Sequence, residues 1–154
     1  MANDVDVLIA FCQEQWTQAR HTEDQRATIS NLIIVVASVI IGFVSKSELT
    51  FQLLPLTILL IGLGLFGVFV TEKLYELFHY HHDKAKRWQL RIDELQPNSR
   101  LSELETEAER QHNNYWKRWR QIRLHYLWLI LHMAIALMGV IFTILIFVRI
   151  PNAK

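Results

Sequence analysis

The chain has 154 residues, one domain's worth of sequence, with a formal net charge of +1 and a single cysteine, Cys12. One cysteine excludes an intramolecular disulfide and a cysteine-based zinc site, and a near-neutral balance excludes no partner class until charge is mapped by segment. Hydrophobic residues make up 51% and charged residues 20%, ordinary for a soluble protein, yet three stretches (27–45, 49–70 and 126–148) contain no Asp, Glu, Lys or Arg.

In chain order, residues 1–26 carry an apolar stripe, Val5, Leu8, Cys12, Trp16 and Ala19, at the spacing of an amphipathic helix. The segment opens acidic, at Asp4 and Asp6, and its polar length before the first apolar run argues against a cleavable signal. Anionic lipid would repel that acidity, so packing within a cytoplasmic bundle is expected, with a neighbouring subunit or the inner leaflet as alternatives.

Residues 27–70 read as a transmembrane hairpin of two spans. Each uncharged stretch runs about 19–23 residues, and at about 1.5 Å per helical residue that crosses a hydrocarbon core of about 30 Å. Uniform apolar runs of this length fit helices, not barrel strands. In the first span Asn31, Ser38 and Ser45 recur every seventh residue, with Gly42 beside them. Such a stripe lines a water-filled pore or forms a close-packing face between helices. Gly62, Gly64 and Gly67, with Pro55 upstream, suggest close backbone approach or a bend in the second span.

Residues 71–125 read as a long antiparallel helical hairpin with its turn at 96–99. Leu74, Leu77, His81, Ala85, Trp88, Ile92 and Leu95 form one stripe; Leu101, Leu104, Ala108, Tyr115, Trp119 and Ile122 form the second. Gln96-Pro97-Asn98-Ser99 breaks the pattern, with Asn98 or Ser99 the expected N-cap. A turn centred there places Arg91 opposite Glu105, Arg87 opposite Glu109 and Glu76 opposite Arg120, opposite signs flanking an apolar seam.

Residues 126–148 form a third span, and 149–154 an external tail. His125, His132 and Gly139 are spaced by sevens, and His132 lies inside the apolar run, where a polar residue either hydrogen-bonds a neighbouring helix or lines a polar pathway. Residues 71–125 hold eleven of the sixteen Lys and Arg residues, which by the positive-inside rule places this loop and the N-terminus in the cytoplasm and the C-terminus outside, in a plasma membrane. Trp116, Trp119, Tyr126 and Trp128 cluster where the chain re-enters the bilayer. The fold class is thus all-α: three transmembrane helices, an amphipathic N-terminal helix and a cytoplasmic helical hairpin.

Lys84, Lys86, Arg87 and Arg91, with Lys117, Arg118 and Arg120 on the return helix, could bind an anionic ligand or lipid, and Trp88, Trp116 and Trp119 could stack bases. The alternative is a solvated, positive-inside surface. His79-Tyr80-His81-His82-Asp83 and the pairs Glu76/His79 and Glu109/His112 have metal-ligand character, but the hairpin register separates the two pairs by about 16 Å, so no shared metal site is expected. No glycine-rich nucleotide motif and no nucleophile–base arrangement can be read, so neither an enzyme nor a cofactor is expected. The absence of Asp, Glu, Lys and Arg from the spans argues against a proton-coupled pump.

Trp16, Arg20, Glu23 and Arg26 precede the first span; Gly64-Leu65-Phe66-Gly67 is followed by Lys73-Leu74-Tyr75-Glu76; Arg123-Leu124-His125 with Trp128 leads into the third. With the three-span layout, these residues resemble small bacterial membrane effectors of antiphage systems, such as SLATT-type proteins and the membrane effector of the Hailong system. The resemblance covers most of the chain and rests on topology and a few residues. It implies a toxic, channel-like homo-oligomer of the bacterial inner membrane, controlled by a nucleotide or oligonucleotide made by a partner enzyme. Without a separate sensor domain, such a ligand would bind the hairpin or the N-terminal helix. The competing expectations are a non-conducting anchor whose hairpin recruits a soluble partner and, more remotely, a histidine-based metal transporter.

Overall fold

The computed structural model describes residues 4–98, 100–115 and 124–149. Among these every regular element is helical: α1 is Asp4–Lys46, a 3-10 turn covers Phe51–Leu53, α2 is Leu54–Leu95, α3 is Leu101–Tyr115 and α4 is Leu124–Arg149. Three helices are long and apolar enough to cross a membrane: α1, α2 with its preceding turn, and α4. The expected boundaries at 26/27 and 70/71 fall inside α1 and α2, each of which is a single uninterrupted helix.

Helix ends follow local chemistry. Lys46 sits in the last turn of α1, where a cation complements the helix dipole. Extended Thr50 starts the 3-10 turn, and Pro55 lies in the first turn of α2, where its missing N–H costs nothing. Gln96 closes α2 with a 2.8 Å bond to the Ile92 carbonyl just before Pro97. The chain then reverses through Arg100, in the left-handed region at φ 50°.

By contacts the chain divides into two compact units, Met1–Asp24 with Leu74–Arg123, and Gln25–Lys73 with Leu124–Lys154. In the first unit the stripe of early α1 meets the stripe of late α2. The Cys12 thiol lies 3.6 Å from the Ala85 carbonyl oxygen, Gln15 bonds His81 at 2.8 Å, Phe11 stacks on Trp88 and Trp16 meets His82 edge-on. Burial pushes the Cys12 thiol above its usual pKa, against a smaller lowering by Trp16.

α3 doubles back along α2, but not through the expected leucine seam. Its contacts are polar: Lys86 lies 3.6 Å from Glu105 and 3.5 Å from Glu109, and Gln89 donates to Glu105 at 3.0 Å. Arg91, expected opposite Glu105, instead pairs with Glu94 on its own helix at 2.5 Å. The cap differs too. The Asp93 carboxylate accepts from the N–H groups of Leu101 and Ser102 at 3.0 and 2.7 Å, a role expected of Asn98 or Ser99; Ser99 lies outside the described residues. The physical reason is competition: early α1 covers the apolar face of α2, so α3 docks on the adjacent polar face and buries none of its own residues.

The second unit has a continuous apolar core of Ile33, Ala37, Ile40 and Val44 from α1, Leu53 and Leu60 before and within α2, and Ile135, Phe142 and Ile146 from α4. Its outer surface is also apolar, with Leu32, Val39, Phe43, Leu65, Phe69, Ile130 and Leu137 exposed. The α2–α4 crossing is built on glycine. A Cβ at Gly64 would meet the Ala136 backbone nitrogen at 2.5 Å; one at Gly67 would come closer still to Nδ1 of the His132 ring; one at Gly139 would meet the Thr57 carbonyl at 2.8 Å. Gly64→Ala or Gly67→Ala is expected to destabilise by about 1–3 kcal/mol through overpacking, lowering the unfolding midpoint in detergent. Gly42→Ala and Gly62→Ala, where the methyl meets nothing within 4 Å, should leave it unchanged or raise it, because alanine is the better helix former.

Candidate functional site

The sequence-predicted polar residues of the membrane-length helices separate onto two surfaces. His132 is inside the second unit, with no exposed surface. Its Nε2 lies 3.1 Å from the Ser30 hydroxyl, and its ring rests against Gly67. Asn31, Ser38 and Ser45, by contrast, are exposed, as is Gly42. These residues and His132 therefore do not share one lining. The buried row of α1 is the adjacent one, Ser30, Ala37 and Val44, offset by one residue from the exposed row. Both rows recur every seventh residue, so spacing alone could not say which faces the core.

His132 is the middle of three polar levels along α4. At one end His125 Nε2 lies 3.1 Å from a Glu72 carboxylate oxygen; at the other the hydroxyls of Thr57 and Thr143 meet at 2.9 Å. Thr57 also reaches the Leu54 carbonyl, and Thr143 the Gly139 carbonyl. Arg26 and Thr71 are buried in the same unit, at 4% and 1% exposure. Sequence reasoning missed Arg26, Ser30, Thr57, Thr71 and Thr143 as interior residues, and exposed Glu72 as the partner of buried His125. The small residues Gly64, Gly67 and Gly139 were the available signal, since close helix approach in an apolar segment brings hydroxyls and imidazoles within bonding range.

Among the described residues, Lys84, Lys86, Arg87 and Arg91 do not assemble into one pocket. The Lys84 ammonium sits over the Tyr80 ring, 4.2 Å from its centroid. Lys86 faces Glu105 and Glu109, Arg91 pairs with Glu94, and Arg87 is exposed. Lys117, Arg118 and Arg120 lie outside the described residues. In the histidine-rich segment His79 packs edge-on against Tyr75, His81 bonds Gln15, and His82 lies 3.6 Å from Asp83. Among the described residues no three potential metal ligands converge.

The chain matches no family model, no curated protein and no solved structure. Its chemistry must be read from these contacts alone. The inner levels join α1, α2 and α4; the outer row presents amide, hydroxyl and glycine to whatever surrounds the unit.

Removing the middle contact should cost more than removing the outer one. Ser30→Ala takes away the hydroxyl at Nε2 of a buried imidazole, and an unsatisfied buried polar group costs about 1–3 kcal/mol. Thr143→Val leaves Thr57 its Leu54 carbonyl, so a loss of about 0.6 kcal/mol is expected, the size usual for such bonds in membrane proteins. Denaturant titration in micelles ranks the two variants.

Proposed function

We propose that the protein is a homo-oligomeric effector of the bacterial inner membrane that forms or gates an ion-conducting pore. The observation that carries this reading is the exposure of Asn31, Ser38, Gly42 and Ser45 on the outside of an otherwise apolar three-helix unit. The Asn31 amide facing hydrocarbon would lack partners, at a cost of roughly 2–7 kcal/mol in a medium that cannot hydrogen-bond, and the serine hydroxyls would have only the carbonyl four residues earlier to fall back on, as Ser47 does. Copies arranged around an axis would turn this row toward a shared hydrated centre, leaving the fully apolar faces to lipid.

Membrane insertion is supported by the three helices of sufficient length and apolarity and by the apolar exterior. The lysine and arginine excess of residues 71–125 supports a cytoplasmic location for that segment and the N-terminus, with the C-terminus outside. The cytoplasmic hairpin would be α3 folded on late α2. Toxicity on release, a role in antiphage defence and control by a nucleotide from a partner enzyme rest on the family resemblance alone. The carboxylates facing Lys86 and Arg91 give a direct nucleotide site on this surface no added support.

Expression of the chain alone should collapse the membrane potential, read by a voltage-sensitive dye. Asn31→Leu or Ser38→Leu should restore most of it, while Val39→Leu, on the apolar exterior, should not. An unchanged potential in cells that accumulate the protein in the membrane would refute the pore.

A further inference from the structure

We infer that the outward leucine face of α3 is a self-association surface, occupied by α3 of a second copy in parallel register. The inference rests on the homo-oligomeric reading above and adds to it a contact outside the membrane spans. Leu101, Leu104 and Tyr115 are 37%, 65% and 87% exposed, and Ala108 is exposed beside them. Leu101, Leu104, Ala108, Gln111 and Tyr115 alternate by three and four, the spacing of the inward positions of a coiled coil, with Gln111 the one polar residue in the row. α3 docks on α2 through Ser102, Glu105 and Glu109, so this apolar row remains open beside a face already in use.

Charge selects the occupant. Glu103, Glu105, Glu107 and Glu109 outnumber Arg100 and Arg110, which disfavours an anionic bilayer surface. In a parallel pair the flanking position before each heptad faces the one five residues later on the partner helix. Arg100 then faces Glu105 of the second copy, and Glu107 faces the His112 imidazole. An ion pair is available at the first place and a hydrogen bond at the second, in exchange for the surface pairs that Arg100, Glu105 and Glu107 make within one copy to Glu103, Lys86 and Arg110, each worth about 0–1 kcal/mol. An antiparallel pair centred on the same row would set Glu107 against Glu107. The pattern thus fits this helix to itself in one direction. In sequence the same spacing runs on to Arg118 and Ile122, which lie outside the described residues.

Cysteine cross-linking of the full-length protein in native membranes tests the surface. In a Cys12→Ser background, Leu104→Cys places two thiols across a parallel pair at a Cα separation a disulfide can bridge, about 4.4–6.8 Å. Mild oxidation should give about fivefold more covalent dimer for Leu104→Cys than for Thr106→Cys, whose position points off the inward row. Leu104→Glu with Ala108→Glu should shrink the detergent-solubilised particle. Ser38→Cys, read in parallel, reports association of the spans. Cross-linking at position 38 with no excess at 104 over 106 overturns the α3 contact and leaves the pore reading standing; no cross-link at either position together with a monomer-sized particle in detergent overturns both. An adduct at position 104 to a protein of different mass, in place of the dimer, also overturns the inference and assigns the face to a soluble partner.

Discussion

The close approach of α2 and α4 across Gly64, Gly67 and Gly139 is the constraint on which the membrane-length unit depends. With the unit inserted in hydrocarbon, as proposed, apolar side chains gain nothing by leaving lipid for protein, so its helices would hold together through packing and hydrogen bonds. Absent side chains at these glycines bring backbone within contact distance of the facing helix. The notch at Gly67 receives the His132 ring, and that seating aims Nε2 at Ser30. One crossing therefore positions the hydrogen bond that recruits the third helix. A larger residue at position 67 would displace the ring, and with it the link to α1.

The unit keeps an apolar core, as a soluble bundle does, and differs in carrying an apolar exterior as well. Polar groups lie between the helices at three levels, and large apolar side chains face outward. Each such bond is modest, about 0.6 kcal/mol on average in membrane proteins; their joint effect is to fix rotation, since the Nε2 atoms of His132 and His125 and the hydroxyls of Thr57 and Thr143 meet their partners in one setting of the helices. Against that background the outward row of Asn31, Ser38 and Ser45 stands apart, because it alone interrupts the apolar exterior of α1 with polar groups at regular intervals. The interior and exterior polar residues thus serve different ends: the first locks the fold of one copy, and the second has a use only when something polar surrounds it.

What the sequence made legible was whatever depends on one segment at a time. Uncharged runs marked the membrane-length helices, and Pro97 marked the break before α3. What depends on two or three segments together was not legible. The choice between Ser30 and Asn31 as the inward row turns on a rotation of one residue, settled by the glycines of α2 and α4. The stripe at Leu101, Leu104 and Ala108 signalled an apolar face correctly, but which partner covers it depends on a competitor: the row through Leu8, Cys12 and Trp16 took the matching face of α2. The helix cap escaped notice because Asp93 lies on the preceding helix and reaches α3 only after the chain has turned. Lys86 and Arg91 suggested a ligand surface by number, while their neighbours Glu94, Glu105 and Glu109 occupy them.

The polar docking of α3 sets it apart in stability. A helix of 15 residues that buries none of them is close to the limit of what persists in water unaided. What holds it is the Asp93 cap and the contacts of Lys86 and Gln89. Exposed ion pairs contribute about 0–1 kcal/mol each, and they weaken as added salt shortens the screening distance below about 8 Å. Among the described helices, α3 is therefore the one expected to open by local unfolding at the smallest fraction of the global stability. Ionic strength acts on it as a throttle, loosening α3 from α2 while the stacked rings of Phe11 and Trp88 stay in place. A helix held so lightly can trade its intramolecular salt bridges for intermolecular ones at small net cost, without melting the apolar packing beside it.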